Sequence, residues 1–269
     1  MSLLTWIPVG RKWAVGATVL VLLTVVVVAV IVTEHGAPTS VGHLTVKGSI
    51  PSSATTPSPS GPGSLVAEQQ SELEQSINRM RAVPSVGPAT SARYAAVSAQ
   101  ARQQPDLYAA AFVRQLLTQD YRTDREQLLA WVQSESAQST DPLVVGLTPV
   151  DLRGRMAVAS VQDGVNGRAP VPSPADWVDL AQSQGHTTVQ IQRVIEPEPW
   201  ASAVAGGQIT DPGVTARQVD ADVTLHTTDS GKVIAEHFSV ALVVNLEGPP
   251  VLGGYGFVAT ITYNVVKVG

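Results

Sequence analysis

From Ala14 to Thr33 the chain runs 20 residues without a charge, through Val19-Leu20-Val21-Leu22-Leu23-Thr24-Val25-Val26-Val27-Val28. As a helix this run would extend about 30 Å, the thickness of a bilayer's hydrocarbon core. Val and Ile are middling helix formers in water. In lipid the backbone has to satisfy its own hydrogen bonds, so a helix forms regardless. Arg11 and Lys12 precede the run, Trp6 and Trp13 stand where the headgroups would lie, and Glu34 and His35 follow it. A basic flank before the span predicts the N-terminus inside the cytoplasm and the rest of the chain outside. A cleaved leader has a shorter apolar region, about 7–15 residues, and a small-x-small site, which Ile31-Val32-Thr33-Glu34-His35 does not supply. The expected anchor is therefore a transmembrane helix over 13–33, with a cytoplasmic tail at 1–12. Arg11, Lys12, Trp13, Leu20, Leu22, Leu23, Val27 and Ile31 are its characteristic residues.

Charge beyond the anchor limits the partners. Of 17 basic residues only Arg11 and Lys12 precede residue 34, so the remainder holds 15 against 22 acidic, a net of −7. Phosphate-backbone binding needs clustered Lys and Arg. No such cluster occurs, which argues against direct nucleic-acid contact. The chain has no cysteine, which excludes disulfides, thiolate metal sites and cysteine nucleophiles.

Residues 34–63 read as a linker. Pro38, Pro51, Pro57, Pro59 and Pro62 punctuate Ser, Thr and Gly, a composition with too little apolar surface to offset its ordering entropy. Residues 64–89 hold a short polar helix, Ser64 to Arg81, with Leu73, Ile77 and Met80 on one stripe, before Pro84 and Pro88. The extracytoplasmic domain is assigned to 90–269. Its first half reads as helical, beginning with Ala92 to Gln103. A second helix, Asp106 to Gln119, carries Leu107, Ala110, Ala111, Val113, Leu116 and Leu117 on a helical period. Thr123-Asp124-Arg125-Glu126 has the spacing of a capping box opening a third helix to about Ala137, with Leu128, Leu129 and Val132 buried and Trp131 alongside. Asp120-Tyr121-Arg122 makes these last two a helical hairpin. Between 138 and 173 only Met156–Val161 suggests a strand. Ser173 before Pro174 predicts an N-cap and a short helix to Ser183.

Everything after about residue 189 alternates apolar and polar. Val189, Ile191 and Ile195 form one face, and Val219, Ala221, Val223 and Leu225 another. Ile234, Phe238, Val240, Leu242, Val244 and Leu246 share a third face, and Phe257, Ala259, Ile261, Tyr263 and Val265 a fourth. Period two over such lengths predicts half-buried antiparallel strands. Turns fall at Thr228-Asp229-Ser230-Gly231 and Gly248-Pro249-Pro250. Helices followed by four long strands predict an α+β domain, its sheet curved around the helices.

No catalytic pattern stands out. Gly231-Lys232 lacks the rest of a phosphate loop, and there is no nucleophile elbow or H-E-x-x-H. Gly253-Gly254-Tyr255-Gly256 precedes a strand and reads as a loop. Asp222 and His226 on one strand, with Glu236 and His237 on the next, could ligate a metal or move a proton. Their alternation with apolar residues favours a solvated face. Neither cofactor nor metal is expected. Trp131, Trp177 and Trp200 read mainly as core or rim packing. As candidate interface anchors they rank with Trp200 first, because Glu196-Pro197-Glu198-Pro199 before it looks like an exposed loop.

Four segments carry a resemblance. They are Asp120-Tyr121-Arg122-Thr123 with Arg125-Glu126-Gln127-Leu128-Leu129-Ala130-Trp131, then Val171-Pro172-Ser173-Pro174-Ala175-Asp176-Trp177. Gly207-Gln208-Ile209-Thr210-Asp211-Pro212-Gly213-Val214 and Val244-Asn245-Leu246-Glu247-Gly248-Pro249-Pro250 follow. In order and spacing, over about 90–269, the chain resembles the membrane-anchored conjugal transfer proteins of actinobacteria. These are similar to the TcpC proteins of Gram-positive conjugation and to the periplasm-facing assembly factor of the VirB type IV secretion apparatus. The resemblance implies a nuclear transport factor 2-like cone and a scaffold role, without enzymatic activity. It also implies contacts with other proteins of the apparatus and self-association into homo-oligomers. Membrane proteins of lipid-uptake systems, and ligand-binding or enzymatic cone domains, share the architecture and are the rival expectations. A reporter enzyme that works only outside the cytoplasm, fused after Gly269, is expected to be active; activity from a cytoplasm-only reporter would reverse the topology.

Overall fold

The computed structural model describes residues 94–138, 149–162 and 168–268, together with residues 71, 74, 75, 77, 78, 81, 82, 86 and 87. The anchor residues Arg11, Lys12, Trp13, Leu20, Leu22, Leu23, Val27 and Ile31 and the linker lie outside these. Among the described residues no helix is long and apolar enough to cross a membrane.

The domain is α+β, with one four-stranded antiparallel sheet in the order β1-β2-β3-β4. Helices α1 (Pro105–Leu117), α2 (Arg125–Ser134), α3 (Val150–Gln162) and α4 (Pro174–Gln182) come first. Strand β1 (His186–Ile195) and helix α5 (Glu198–Ala205) follow, then β2 (Val214–Asp229), β3 (Lys232–Glu247) and β4 (Gly256–Lys267). Asp229 pairs with Lys232. The two residues between them, Ser230 and Gly231, take φ of 51° and 79°. Positive φ at both turn positions matches the right-handed twist of the flanking strands, and glycine meets it without a Cβ penalty. At the second reversal a Cβ on Gly248 would collide with the Tyr255 ring.

One face of the sheet forms the main core. Val219, Ala221, Val240, Leu242, Val244 and Leu246 pack there with Tyr108, Phe112, Leu116, Leu128 and Trp131 from the helices. Phe112 lies at the centre, its ring 4.2 Å from that of Phe257 and 5.1 Å from that of Trp131. The period-two assignment of β3 holds along this face, although Ile234 at its far end is 40% exposed. In β1 a bulge between Ile191 and Arg193 shifts the phase. Val194, not Ile195, then packs against the core, and Ile195 is exposed. Two further irregularities divide β4: Phe257 pairs with Leu246, while Ala259 pairs with Asn245 and joins a second cluster on the other side. Each bulge adds one residue to its strand and reverses the faces beyond it.

The β4 edge is covered along much of its length and the β1 edge at its start. Along β4 the Ala137 amide donates to the Phe257 carbonyl at 2.8 Å, and the Phe257 amide to Glu135 at 2.9 Å. Farther along, the Thr260 amide donates to Ser160 Oγ at 3.0 Å and Arg168 Nη1 donates to the Val265 carbonyl at 2.8 Å. At the start of β1 the Thr187 amide donates to the Gln119 carbonyl at 2.8 Å. Open edges template unwanted strand pairing, and these contacts, with the bulge and Arg193, suppress it.

Several local readings are corrected. Residues 94–100 do not form the expected helix; only Ala101–Gln103 makes a 3-10 turn. Tertiary bonds take the backbone instead: the Val97 amide donates to Glu135 Oε1, and the Ala95 carbonyl accepts from Trp131 Nε1 and Gln115 Nε2. In α1 the buried stripe includes Tyr108, Ala109 and Phe112, and Leu107 points outward. Asp124, not Thr123, caps α2 by accepting from the Glu126 amide at 3.0 Å; Thr123 Oγ1 donates to the Asp120 carbonyl. That helix stops at Ser134, because residues 135–137 leave to pair with β4. Met156–Val161 is helical, within α3, and buries Leu152 and Met156 at i, i+4 with Ala157 and Val161. The Ser173 cap is as expected, accepting from the Asp176 amide at 3.2 Å. The described residues of 71–82 are helical, Ile77 packs on the second cluster with Leu152, Met156, Val258 and Ala259, and Arg155 donates to the Arg81 carbonyl.

A buried carboxylate ties these layers together. Glu135, fully buried, accepts from Arg102 Nη2 at 2.7 Å, Tyr108 Oη at 3.0 Å and the Val97 amide at 3.0 Å. Removing it leaves three donors without their acceptor, one of them a cation. Glu135→Ala is therefore expected to cost about 3–5 kcal/mol and lower Tm by roughly 10 °C or more. Tyr108→Phe, losing one neutral donor, should cost about 1 kcal/mol. Thermal unfolding of the full chain followed by circular dichroism checks both, and equal Tm values for Glu135→Ala and wild type would contradict this role.

Candidate functional site

The three tryptophans among the described residues separate into two kinds. Trp131 is fully buried, in ring contact with Phe112 and Tyr94, and its Nε1 donates to the Ala95 carbonyl at 3.1 Å. Trp177 is 5% exposed, meets Tyr121 edge-on at 4.9 Å and donates to the Thr123 carbonyl. Both are core residues, so the interface alternative is corrected for them: their indole faces and N–H groups are already used inside the domain. Trp200 alone keeps a partly exposed side chain.

Trp200 does not lie in a loop. Pro197 and Pro199 open α5, with the Trp200 and Ala201 amides both donating to the Pro197 carbonyl at 3.0 Å. Proline's fixed φ suits the first helical turn, where its missing N–H has no helical partner to lose. The helix reads Glu-Pro-Trp-Ala-Ser-Ala-Val-Ala, yet Ala203 is its only buried residue. Trp200 and Val204 stand at i, i+4 on one side, and Val204 is 46% exposed. Leu107 and Ile195 are also exposed, and Arg217 pairs with the residue beside each in the chain, Asp106 and Glu196. Sequence reading missed Leu107, Ile195 and Val204 as surface residues. The Pro-Glu-Pro start followed by three alanines was the signal that would have identified α5.

The polar residues of the strands do not converge. His226 Nε2 lies 3.3 Å from Thr188 Oγ1, and Asp222 accepts from Gln192 Nε2 at 2.7 Å. His237 Nδ1 lies 3.1 Å from Thr224 Oγ1. Glu236 pairs with Lys267; being adjacent to His237 on one strand, it points to the opposite face. Arg193 and Asp220 make a further cross-strand pair at 2.5 Å. His186 stacks on His226 at 4.8 Å. Apart from Glu236 with Lys267, these are neighbouring pairs along one polar face, and among the described residues no group of three His, Asp or Glu could hold a metal.

An open cleft of about 440 Å³ lies between the 3-10 turn, the end of α2 and Gly253-Gly254. Its one cation is engaged: Arg102 Nε donates to the Val97 carbonyl, Nη1 to the Tyr255 carbonyl and Nη2 to Glu135. The loop reading of Gly253-Gly254-Tyr255-Gly256 holds, since it precedes β4. Inside the core, burial and then the Glu135 carboxylate hold the Tyr108 phenol well above its ordinary range. Burial also raises Tyr121, and pushes Tyr263 up to about 12 with the Arg168 guanidinium opposing. None of these phenols is activated for proton transfer near neutrality.

No family model, curated protein or solved structure matches the chain.

The two kinds of tryptophan are expected to respond differently to truncation. Trp131→Ala should lose about 3–5 kcal/mol of stability, and Trp200→Ala less than about 1 kcal/mol. Denaturant unfolding of the two variants measures this, and a comparable loss from both would place Trp200 in the core.

Proposed function

We propose that the chain is a scaffold component of a conjugative type IV secretion apparatus, working through protein contacts and not as an enzyme. An N-terminal single-pass helix holds it in the cytoplasmic membrane, and the Pro- and Ser-rich linker sets its reach. A nuclear transport factor 2-like domain then meets other apparatus proteins outside the cytoplasm. The conjugal identity rests on the four segments that resemble TcpC-like proteins.

The observation that carries the scaffold reading is the packed face of the sheet. A ligand-binding or catalytic domain of this architecture needs a cavity lined by a few convergent polar groups. Here Tyr108, Phe112, Leu116, Trp131 and Phe257 occupy that space together with Val219, Leu242, Val244 and Leu246. What the domain offers a partner is therefore its outside. The net acidity beyond the anchor supports protein partners over nucleic acid.

Deletion of the gene in its host is expected to abolish conjugal transfer, and the full chain supplied in trans to restore it. Unimpaired transfer would refute the proposal. Loss of lipid uptake with transfer intact would favour the rival class.

A further inference from the structure

The surface around α5 joins two properties that seldom occur together. The first is unused apolar area. An eight-residue helix is marginal in water unless its apolar side packs on the fold. This one fully buries only Ala203, while Trp200 is half-buried and Val204 is exposed. The helix is held at its ends instead, by the Pro197 carbonyl and by the Gln208 amide donating to Ala203 at 2.9 Å.

The second property is one-sided charge. Residues 194–216 contain no Lys, Arg or His and include Glu196, Glu198 and Asp211. Arg193, just before this stretch, is paired with Asp220, and Arg217, just after it, lies beneath the surface with its side chain 13% exposed. The carboxylates it holds stand outside it, Asp106 at 59% and Glu196 at 43%. Two carboxylates share one guanidinium, and the exposed Glu198 adds a third negative charge. The rim of the apolar patch is thus net negative.

We propose that α5 and its acidic rim form a docking surface for a cationic amphipathic segment of a partner protein. Trp200 and Val204 are the apolar anchors, and Asp106, Glu196 and Glu198 are the counter-charges. Complementary charge selects this occupant and speeds its encounter, while the apolar anchors, once desolvated, retain it. Anionic lipid headgroups and nucleic-acid phosphates meet the same rim with like charge and are disfavoured. Only the partner's membership of the secretion apparatus rests on the scaffold reading; the surface itself is argued from its own residues.

The test uses the full chain in nonionic micelles, with empty micelles as the blank. The probe is a labelled Leu/Lys peptide patterned as an amphipathic helix, followed by fluorescence anisotropy. The expected result is saturable binding that weakens about tenfold in Val204→Ser or Glu198→Lys and also weakens at about 0.5 M salt. Near-UV circular dichroism of both variants keeps lost folding apart from lost binding. Trp200→Phe, which retains an apolar ring, should bind better than Trp200→Ala. Equal affinity for wild type, Val204→Ser and Glu198→Lys would overturn the proposal, as would equal binding of a Leu/Glu counterpart. So would α5-dependent binding to anionic vesicles, or α5-dependent dimerisation seen by sedimentation. Failure here with conjugal transfer still dependent on the chain would remove the docking surface and leave the scaffold reading standing.

Discussion

A single buried carboxylate holds the layers of this domain in register. Glu135 ends one helix, receives a tyrosine from another and an arginine from the 3-10 turn, and its carbonyl accepts from the first part of β4. Burying a carboxylate is favourable only where its charge is paired and its lone pairs are used. Here a guanidinium and two neutral donors do both. Arg102 extends the constraint, since its other nitrogens bond the carbonyls of Val97 and Tyr255. One charge pair thereby joins segments more than 100 residues apart in the chain, which packing of interchangeable apolar side chains would position less uniquely.

That arrangement determines which surfaces are available. The segment leaving Glu135 pairs with β4, and α3 and Arg168 cover the remainder of the same edge. Residues 119–121 close the start of the opposite edge. The helix-facing side of the sheet is filled. On its other side, neighbouring side chains bond one another, Arg193 with Asp220 as an ion pair and Gln192 donating to Asp222. Apolar surface that is both exposed and bordered by excess charge of one sign remains at α5.

How far the sequence could be read depended on whether local or tertiary forces decided each segment. The long strands were legible because period-two alternation sustained over many residues suits a half-buried strand and no helix, and turn residues separated them. The Ser173–Pro174 helix start was legible for the same local reason. Residues 94–100 were not, since a helix-compatible stretch lost its backbone groups to Trp131, Gln115 and Glu135, none of them adjacent in sequence. Met156–Val161 was misread because a six-residue apolar run has no distinctive period, and only the wider spacing from Leu152 shows the helix. The bulges in β1 and β4 reversed faces without any glycine or proline to mark them. For the candidate site, Trp200 could be singled out from its flanking prolines and glutamates. The exposure of Leu107 and Ile195 could not, because tertiary packing and the β1 bulge set it.

The contrast among the three tryptophans carries the functional argument furthest. Trp131 and Trp177 each satisfy their indole N–H within the domain and pack their rings against other aromatics, so their presence follows from stability alone. Trp200 sits half-buried on a short helix whose one fully buried residue is Ala203, outside the main core cluster. The half-buried indole of Trp200 keeps part of its surface in water, near Glu196 and Glu198 in the chain, and Glu196 pairs with an Arg217 that lies beneath it. Burial against a partner would remove the rest of the indole from water and supply positive charge in the same step.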